Sequence, residues 1–220
     1  MNAIRTLKDS DFEGYRLAHR AMSREMDAVA RMIGALAPGD RVRPRRLREW
    51  LQFLERTLHH HHVAEDRWFF PALEKKDPGF AGFRQELDAE HAVLEPLLRR
   101  TMEGLRALTQ AEGQAWDTTR AQTQADAESF SRLLTEHLTN EEKVVVERSL
   151  QHLRPVDIET FNRKAWAGIP VGDLRTVLPW LLDTCEPEER ARMVSKLTLG
   201  NRILYTLAWG PRFSRMRSGL

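Results

Sequence analysis

Hydrophobic residues recur at alternating steps of three and four along four long stretches of the chain, a spacing that places them on one face of an α-helix. Breaks rich in Pro and Gly separate these stretches at 37–44, at 75–80 and around Gly113. Each stretch therefore predicts one amphipathic helix, although the polar segment 113–129 predicts a loose entry to the fourth. Four such helices joined by short loops favour an all-α fold, an up-down-up-down four-helix bundle.

The chain after about residue 154 also has a helical pattern, but prolines and glycines divide it into shorter pieces. We therefore predict a bundle over 1–153 and a C-terminal extension of short helices over 154–220. Three tryptophans of the extension would be costly to leave in water. We expect them to dock it on the bundle or on a partner chain; they are Trp166, Trp180 and Trp209.

Each predicted long helix carries one histidine on its apolar face, near its middle. These histidines are His19, His61, His91 and His137. Glu65 follows His61 by four residues, and Glu141 follows His137 by four. Residues four apart on a helix lie about 6 Å apart on nearly the same face. Each pair can therefore present an imidazole and a carboxylate to one metal site.

Two buried carboxylates strengthen the case for a metal site. A lone histidine on an apolar face is more often a hydrogen-bonded core residue than a ligand, but four of them together are harder to explain in that way. Neither Glu65 nor Glu141 has a Lys or Arg on its own apolar stripe. Because an ionised carboxylate is costly to bury without a counter-charge, bound cations would supply the missing charge.

The run of four histidines at 59–62 raises a question of helical register. Steps of three and four back from His61 meet leucines, whereas the same steps back from His62 meet polar residues. The pattern predicts that His61 and Glu65 face the core. It predicts that His62 points to solvent or to a neighbouring helix.

Two sequence segments resemble a known family. HHHHVAEDRWFFPAL (59–73) is similar to the second-helix signature of hemerythrin-like (HHE cation-binding) proteins, and HLTNEE (137–142) is similar to its fourth-helix counterpart. With His19 and His91, the resemblance extends from residue 10 to about residue 150.

The resemblance implies a non-haem di-iron centre, with histidines as nitrogen ligands and two glutamates as bridging carboxylates. The implied ligands are His19, His61, Glu65, His91, His137 and Glu141. Mixed imidazole and carboxylate ligation also suits iron on chemical grounds, while manganese and zinc remain open.

The third helix departs from the pattern of oxygen-carrying hemerythrins, which have a second histidine four residues after the first. Here that position is Glu95, followed by Pro96. Leu94 takes the core position, so we predict Glu95 on the surface, with a role as an extra ligand as the alternative. Because the second histidine of the third helix is missing, reversible oxygen carriage of the familiar kind is not expected.

Tyr15, one turn before His19, is interpreted as a core residue, with contact to the metal or to a ligand as the alternative.

The resemblance implies that the centre binds or senses O2 or NO, or reacts with hydrogen peroxide. An enzyme of this kind would be catalase-like or another di-iron oxidoreductase. The alternative is a regulator that responds to iron or oxygen and contacts a partner protein through the extension. Homo-oligomerisation through the extension also remains open.

Composition narrows these choices only a little. The net charge of +2 over 220 residues is too small to argue for nucleic acid, and no apolar run is long enough to cross a bilayer. The N-terminal stretch lacks the apolar core of a secretory signal, and a single cysteine, Cys185, allows no internal disulfide. We therefore expect a cytoplasmic protein that binds neither nucleic acid nor membrane.

Overall fold

The structure is a computed structural model that describes residues 5–220. The first four residues of the predicted bundle segment 1–153 lie outside the described part. Residues 5–220 form helices joined by turns, with no strand among them, which confirms the all-α prediction. The up-down-up-down order and the division at residue 154 stay predictions.

Five helices, four of them long, form the body of the protein. They are α1 (Glu13–Gly34), α2 (Val42–Ala64), α3 (Phe70–Glu74), α4 (Phe80–Leu108) and α5 (Gly113–His152). A 3-10 turn, Asp9–Phe12, leads into α1, and a π-helical turn, Glu65–Phe69, joins α2 to α3. Helix α1 packs against α2 and α5, and α4 packs against α2 and α5. The four long helices therefore enclose one common interior.

The polar segment 113–129 is helical throughout, so the predicted loose entry to the fourth helix is wrong. Trp116, Thr123 and Ala127 explain the difference, because all three are buried against the neighbouring helices. Their spacing of seven and four keeps them on one side of α5 although the residues between them are polar.

Two apolar cores fill the interior. The larger core includes Ile33, Leu51 and Leu105, and the smaller core includes Phe69 and Phe80. The predicted donor residues lie where the two cores meet. On α1, for example, Tyr15 belongs to the smaller core and Met22 to the larger, with His19 between them.

The C-terminal extension consists of five helices that share both cores with the body. They are α6 (Pro155–Gly168), α7 (Val171–Thr184), α8 (Pro187–Lys196), α9 (Leu199–Leu204) and α10 (Gly210–Arg217), the last two joined by a π turn, Tyr205–Trp209. Trp180 on α7 is buried in the larger core and Trp209 packs against that core. Trp166 is 47% exposed, so the expectation that all three tryptophans dock the extension holds for two of them.

A buried charge fixes the end of the extension to the body. Glu25 on α1 is buried, accepts a 2.8 Å hydrogen bond from Trp50 Nε1 and forms an ion pair with Arg217 on α10. The Arg217 guanidinium also lies 5.5 Å from the centre of the Trp50 ring.

Among the helices of residues 5–220, none is long and apolar enough to cross a membrane.

Candidate metal centre

Seven side chains bring metal-binding atoms together where the two cores meet. Their donor atoms fall into two groups, and the atoms of each group all lie within 4.8 Å of one another. Site A consists of His19, His61, Glu65 and Glu141. Site B consists of His62, His91 and His137. The structure thus brings all six predicted ligands into these sites and adds His62.

Site A gathers donors from three helices and the π turn. The Nε2 atoms of His19 and His61 are 2.9 Å apart, and Glu65 Oε1 lies 3.0 Å from His61 Nε2. Glu65 begins the π turn, a wider single turn of a kind frequently found at functional sites. Because His19 and Glu65 are almost fully buried, water competes little for these atoms.

Site B is built from three imidazoles on α2, α4 and α5. The Nε2 atoms of His91 and His137 are 3.1 Å apart, and the His62 ring stacks on the His91 ring with centroids 3.8 Å apart. His62 is only partly buried and reaches the neighbouring helix α4, one of the two directions that its register allowed. Since α2 packs against both α1 and α4, adjacent residues of α2, about 100° apart around its axis, face different neighbours.

A carboxylate outside the two sites orients one of the donors. Glu90 Oε2 lies 2.5 Å from His137 Nδ1. With the proton on Nδ1 donated to Glu90, the Nε2 lone pair of His137 faces site B. Glu90 is not among the predicted ligands, and its only sequence signal is that it precedes His91.

Glu141 connects the two sites. Its Oε1 accepts a 2.6 Å hydrogen bond from the Tyr15 hydroxyl, and its Oε2 lies 3.5 Å from His137 Nε2 in site B. Tyr15 therefore contacts a proposed ligand, which was the alternative to its interpretation as a plain core residue. It is also a buried member of the smaller core, so both interpretations describe it.

Several of the atoms that could bind a metal are buried without any hydrogen-bond partner within residues 5–220. They are His19 Nδ1, His62 Nε2, Glu65 Oε1 and Glu141 Oε2. In the same part of the chain, neither Glu65 nor Glu141 forms an ion pair with Lys or Arg. Two carboxylates, each only 1% exposed, would be costly in this state, and a cation would compensate both. The residues present therefore fit a bound metal.

The imidazoles are held in the form that binds metals. Burial lowers the pKa of His19 to about 3 and that of His91 to about 4, and the neighbouring His137 adds to both effects. Burial also holds the pKa values of His61 and His62 well below 6.5. At neutral pH these four rings are uncharged, so their lone pairs are free for a cation.

The carboxylates and Tyr15 are shifted in the opposite direction. Burial and the nearby charge of Glu141 raise the pKa of Glu65 well above its ordinary value of 4.5, and burial raises the pKa of Glu141. Burial and the two carboxylates raise the pKa of Tyr15, so its hydroxyl keeps its proton and donates to Glu141. A cation in site A would favour the ionised carboxylates instead.

A surface pocket of about 440 Å³ leads to site B. Glu55, Arg56 and Glu95 give its walls charge, and His62 and His91 lie against it. Glu95 is exposed, in agreement with the predicted surface position. Site B thus borders a surface opening whose walls carry both charged and apolar side chains.

Comparisons with known proteins agree with this geometry. A family model described as the hemerythrin HHE cation binding domain matches residues 11–148. The chain is also similar to the zinc finger protein BRUTUS of Arabidopsis thaliana, with 25% identity over 189 residues. That match covers 84% of this chain but only 14% of the length of the plant protein. No solved structure matches the chain. With well over half of its residues matched by the family model, the chain belongs to the hemerythrin HHE cation-binding family.

Proposed function

We propose that the chain binds two metal ions, one at site A and one at site B, with Glu141 shared between them. Iron is the metal that this mixture of imidazole and carboxylate donors suits, and manganese or zinc would compete for the same atoms. One observation carries the proposal: the buried oxygens of Glu65 and Glu141 have no cationic partner in the described part of the chain. Membership of a cation-binding family supports it.

The chain's own residues prepare both sites before any ion binds. Burial keeps the imidazoles of His19, His61, His62 and His91 neutral. Glu90 selects the tautomer of His137, and Tyr15 fixes one oxygen of Glu141. When bound, two irons would supply a redox-active centre that can accept a small diatomic molecule or peroxide. The pocket that leads to site B supports the arrival of such a ligand at His62 and His91. We therefore propose that the protein binds or senses O2 or NO, or decomposes hydrogen peroxide.

Metal analysis of matched histidine variants tests the two-site proposal. His62 belongs to site B, whereas His59, one turn earlier in the same run of histidines, is exposed and outside both sites. We expect about two irons per chain in the wild type and in His59→Ala, and about one in His62→Ala, because only the latter loses a donor. Equal metal content in the two variants would refute the ligand set of site B, and a wild type that takes up no metal would refute the whole proposal.

Peroxide decomposition separates an enzyme from a binding protein. The iron-loaded chain and its His62→Ala variant are compared with free iron at the same concentration. Turnover well above that of free iron, lost in His62→Ala, is expected of a catalase-like centre. With full iron loading and no excess turnover, binding or sensing is the role that stands.

A regulatory role is the second candidate, because α6 of the extension contacts the metal-bearing part of α2. His60, adjacent to His61 in the chain, has its Nε2 2.8 Å from the carbonyl oxygen of Ala165. Gly168 lies so close to the same ring that a Cβ there would be 2.6 Å from His60 Cε1. A metal-dependent shift of α2 would therefore reach the extension directly.

Limited proteolysis with and without metal tests this second role. If the extension responds to metal binding, cleavage within 154–220 should be faster in the metal-free protein, while cleavage in the body (α1–α5) should change less. A partner protein would then be sought that binds only one of the two states. Equal protection of the extension in both states would eliminate the regulatory role and leave the metal proposal intact.

A further inference from the structure

The extension closes a second pocket that is separate from the opening to site B. It has a volume of about 220 Å³ and lies between α1 and α2 on one side and α6 and α7 on the other. Tyr15 and His61 form part of its wall, so the pocket borders site A. Phe161, Trp166 and Trp180 contribute the wall on the side of the extension.

The walls of this pocket are largely apolar. Besides the aromatic rings, most of the wall is made of aliphatic and thioether side chains such as Met22 and Leu181, and its further polar members are Thr57, His60 and Asn162. A pocket of this kind binds apolar molecules in preference to ions or water. An apolar cavity of roughly 150 Å³ is large enough for benzene, so the volume here suits one ring with a short substituent.

One residue of the wall, Trp180, has a buried polar atom without a partner in the described part of the chain. The Trp180 indole is 2% exposed, and its Nε1–H has no acceptor within residues 5–220. A buried donor without an acceptor is unfavourable, and an acceptor on a bound molecule would satisfy it. Trp166, on the same pocket, is 47% exposed, which is unusual for so large an apolar side chain and is explained if it covers an occupant.

We propose that this pocket is a binding site for a small organic molecule of one-ring size, apolar except for one hydrogen-bond acceptor, held between the body and the extension. The acceptor faces Trp180, and the ring packs against Phe161 and the apolar wall of α7. Of the proposed metal ligands, His61 alone lines the pocket, and the rest of the wall is formed by residues that bind no metal. We therefore expect the pocket to bind its molecule with or without metal. A molecule held there would lie against His61 and Tyr15, next to site A.

Two probes of nearly equal shape test the site: acetophenone, which has a carbonyl acceptor, and cumene, which does not. Saturation-transfer NMR gives the affinity of each for the full chain, both as purified and after iron loading. Acetophenone should bind saturably and about fivefold more tightly than cumene, because only acetophenone accepts a hydrogen bond from Trp180. No saturable binding of either probe, or equal binding of the two, would overturn the proposal.

Matched alanine variants on α6 locate the binding. Ala165 lines the pocket, whereas Ala167 on the same helix is exposed and outside it. Ala165→Leu fills the pocket and keeps the backbone carbonyl that faces His60, so acetophenone affinity should fall at least tenfold, with no change in Ala167→Leu. Equal loss or equal retention in the two variants would place the probe elsewhere and refute the site.

A third variant keeps the test decisive if Ala165→Leu fails to fold. Trp180→Phe removes the N–H while keeping an aromatic ring, so it should abolish the preference for acetophenone over cumene. A preference that persists in Trp180→Phe would refute the anchor. Metal content measured on the same samples separates this proposal from the two-site metal proposal, because probe binding without metal, or metal without probe binding, refutes only one of them.

Discussion

The larger core and the donor layer are built by the same helices, yet they contribute to stability in opposite ways. On α2, Leu47 and Leu51 are fully buried, and each leucine contributes roughly 1.5–3 kcal/mol through the apolar surface that it removes from water. Farther along α2 and in the π turn that follows it, His61 and Glu65 place polar atoms in a similarly dry interior, where Glu65 Oε1 has no hydrogen-bond partner within residues 5–220. The aliphatic half therefore holds the bundle together, and the donor layer depends on what binds there.

Removing metal should give the largest effect and should act on the donor layer alone. With free metal at about 1,000 times its Kd, binding stabilises the fold by about 4 kcal/mol. Chelation should therefore lower Tm by roughly 10 °C in a chain of this size. Differential scanning calorimetry before and after chelation measures the change.

Hydrogen exchange shows where this loss occurs. Amides near His61 and Glu141 should lose protection on chelation, whereas those near Leu51 and Leu105 in the larger core should change little. A uniform loss of protection along all four long helices would mean that the two regions are not separable.

Shortening one side chain in the larger core should destabilise the protein almost as much as removing metal, but it should leave the metal in place. Leu51 is fully buried and lies outside both sites, so Leu51→Ala should cost about 3 kcal/mol through lost burial and the cavity left behind. Chemical denaturation gives the loss of stability. Iron per folded chain, measured on the same sample, should match the wild type; a parallel loss of iron would show that core packing and donor geometry are coupled.

Removing the Tyr15 hydroxyl should weaken metal binding without removing a ligand. Tyr15→Phe deletes the hydrogen bond to Glu141 and should lower metal affinity about 10- to 100-fold, the usual effect of losing a partner that orients a ligand. Competition with a chelator of known affinity measures it. Tyr205 on the extension is the only other tyrosine of the chain, so Tyr205→Phe, expected to have wild-type affinity, is the matched control.

Neutralising a buried carboxylate should change the stability of the fold least, and the sign of the change should depend on whether metal is bound. In the metal-free protein, Glu65→Gln should raise stability by about 1 kcal/mol at neutral pH, because the folded wild type must either bury an uncompensated carboxylate or take up a proton, and a glutamine requires neither. It should weaken metal binding at site A. The comparison thus reverses sign when iron is added, and a variant that is less stable in both states would contradict the assigned role.

The pH dependence of this variant has a defined direction. The folded-state pKa of Glu65 is raised above its ordinary value of 4.5, so Glu65 costs nothing below that pH, where it is protonated in both states. As pH rises from 4.5 towards the folded-state pKa, the unfolded chain loses its proton first and stability falls. The advantage of Glu65→Gln in the metal-free protein should therefore grow with pH over that range, as measured by urea denaturation at successive pH values.

The six donors that converge could be predicted because the information about them is local. A helical stripe of apolar residues fixes which positions face inward, and a histidine or glutamate on that stripe is conspicuous. The stripe could not include His62, because the direction of that side chain depends on α4 lying beside α2. Glu90 was missed for the same reason, since its partner His137 lies on another helix.

The extension was less predictable than the body. Its helices are short, and their apolar residues divide between two cores that belong to other helices, as Phe161 in the smaller core and Trp180 in the larger core show. Local periodicity therefore indicates that each helix exists but not what it packs against. The exposure of Trp166 could not be predicted from the cost of exposing a tryptophan, because the pocket beneath it is formed only when α6 meets α1 and α2.

The ion pair between Glu25 and Arg217 makes the last helix part of the support for the first two. If α10 were cut away, Glu25 would remain inside the protein with Trp50 as a neutral neighbour and no positive charge. The damage from such a truncation would then fall on α1 and α2 rather than on the shortened extension. Anyone who shortens or tags this chain at its C-terminal end should check the integrity of the bundle first.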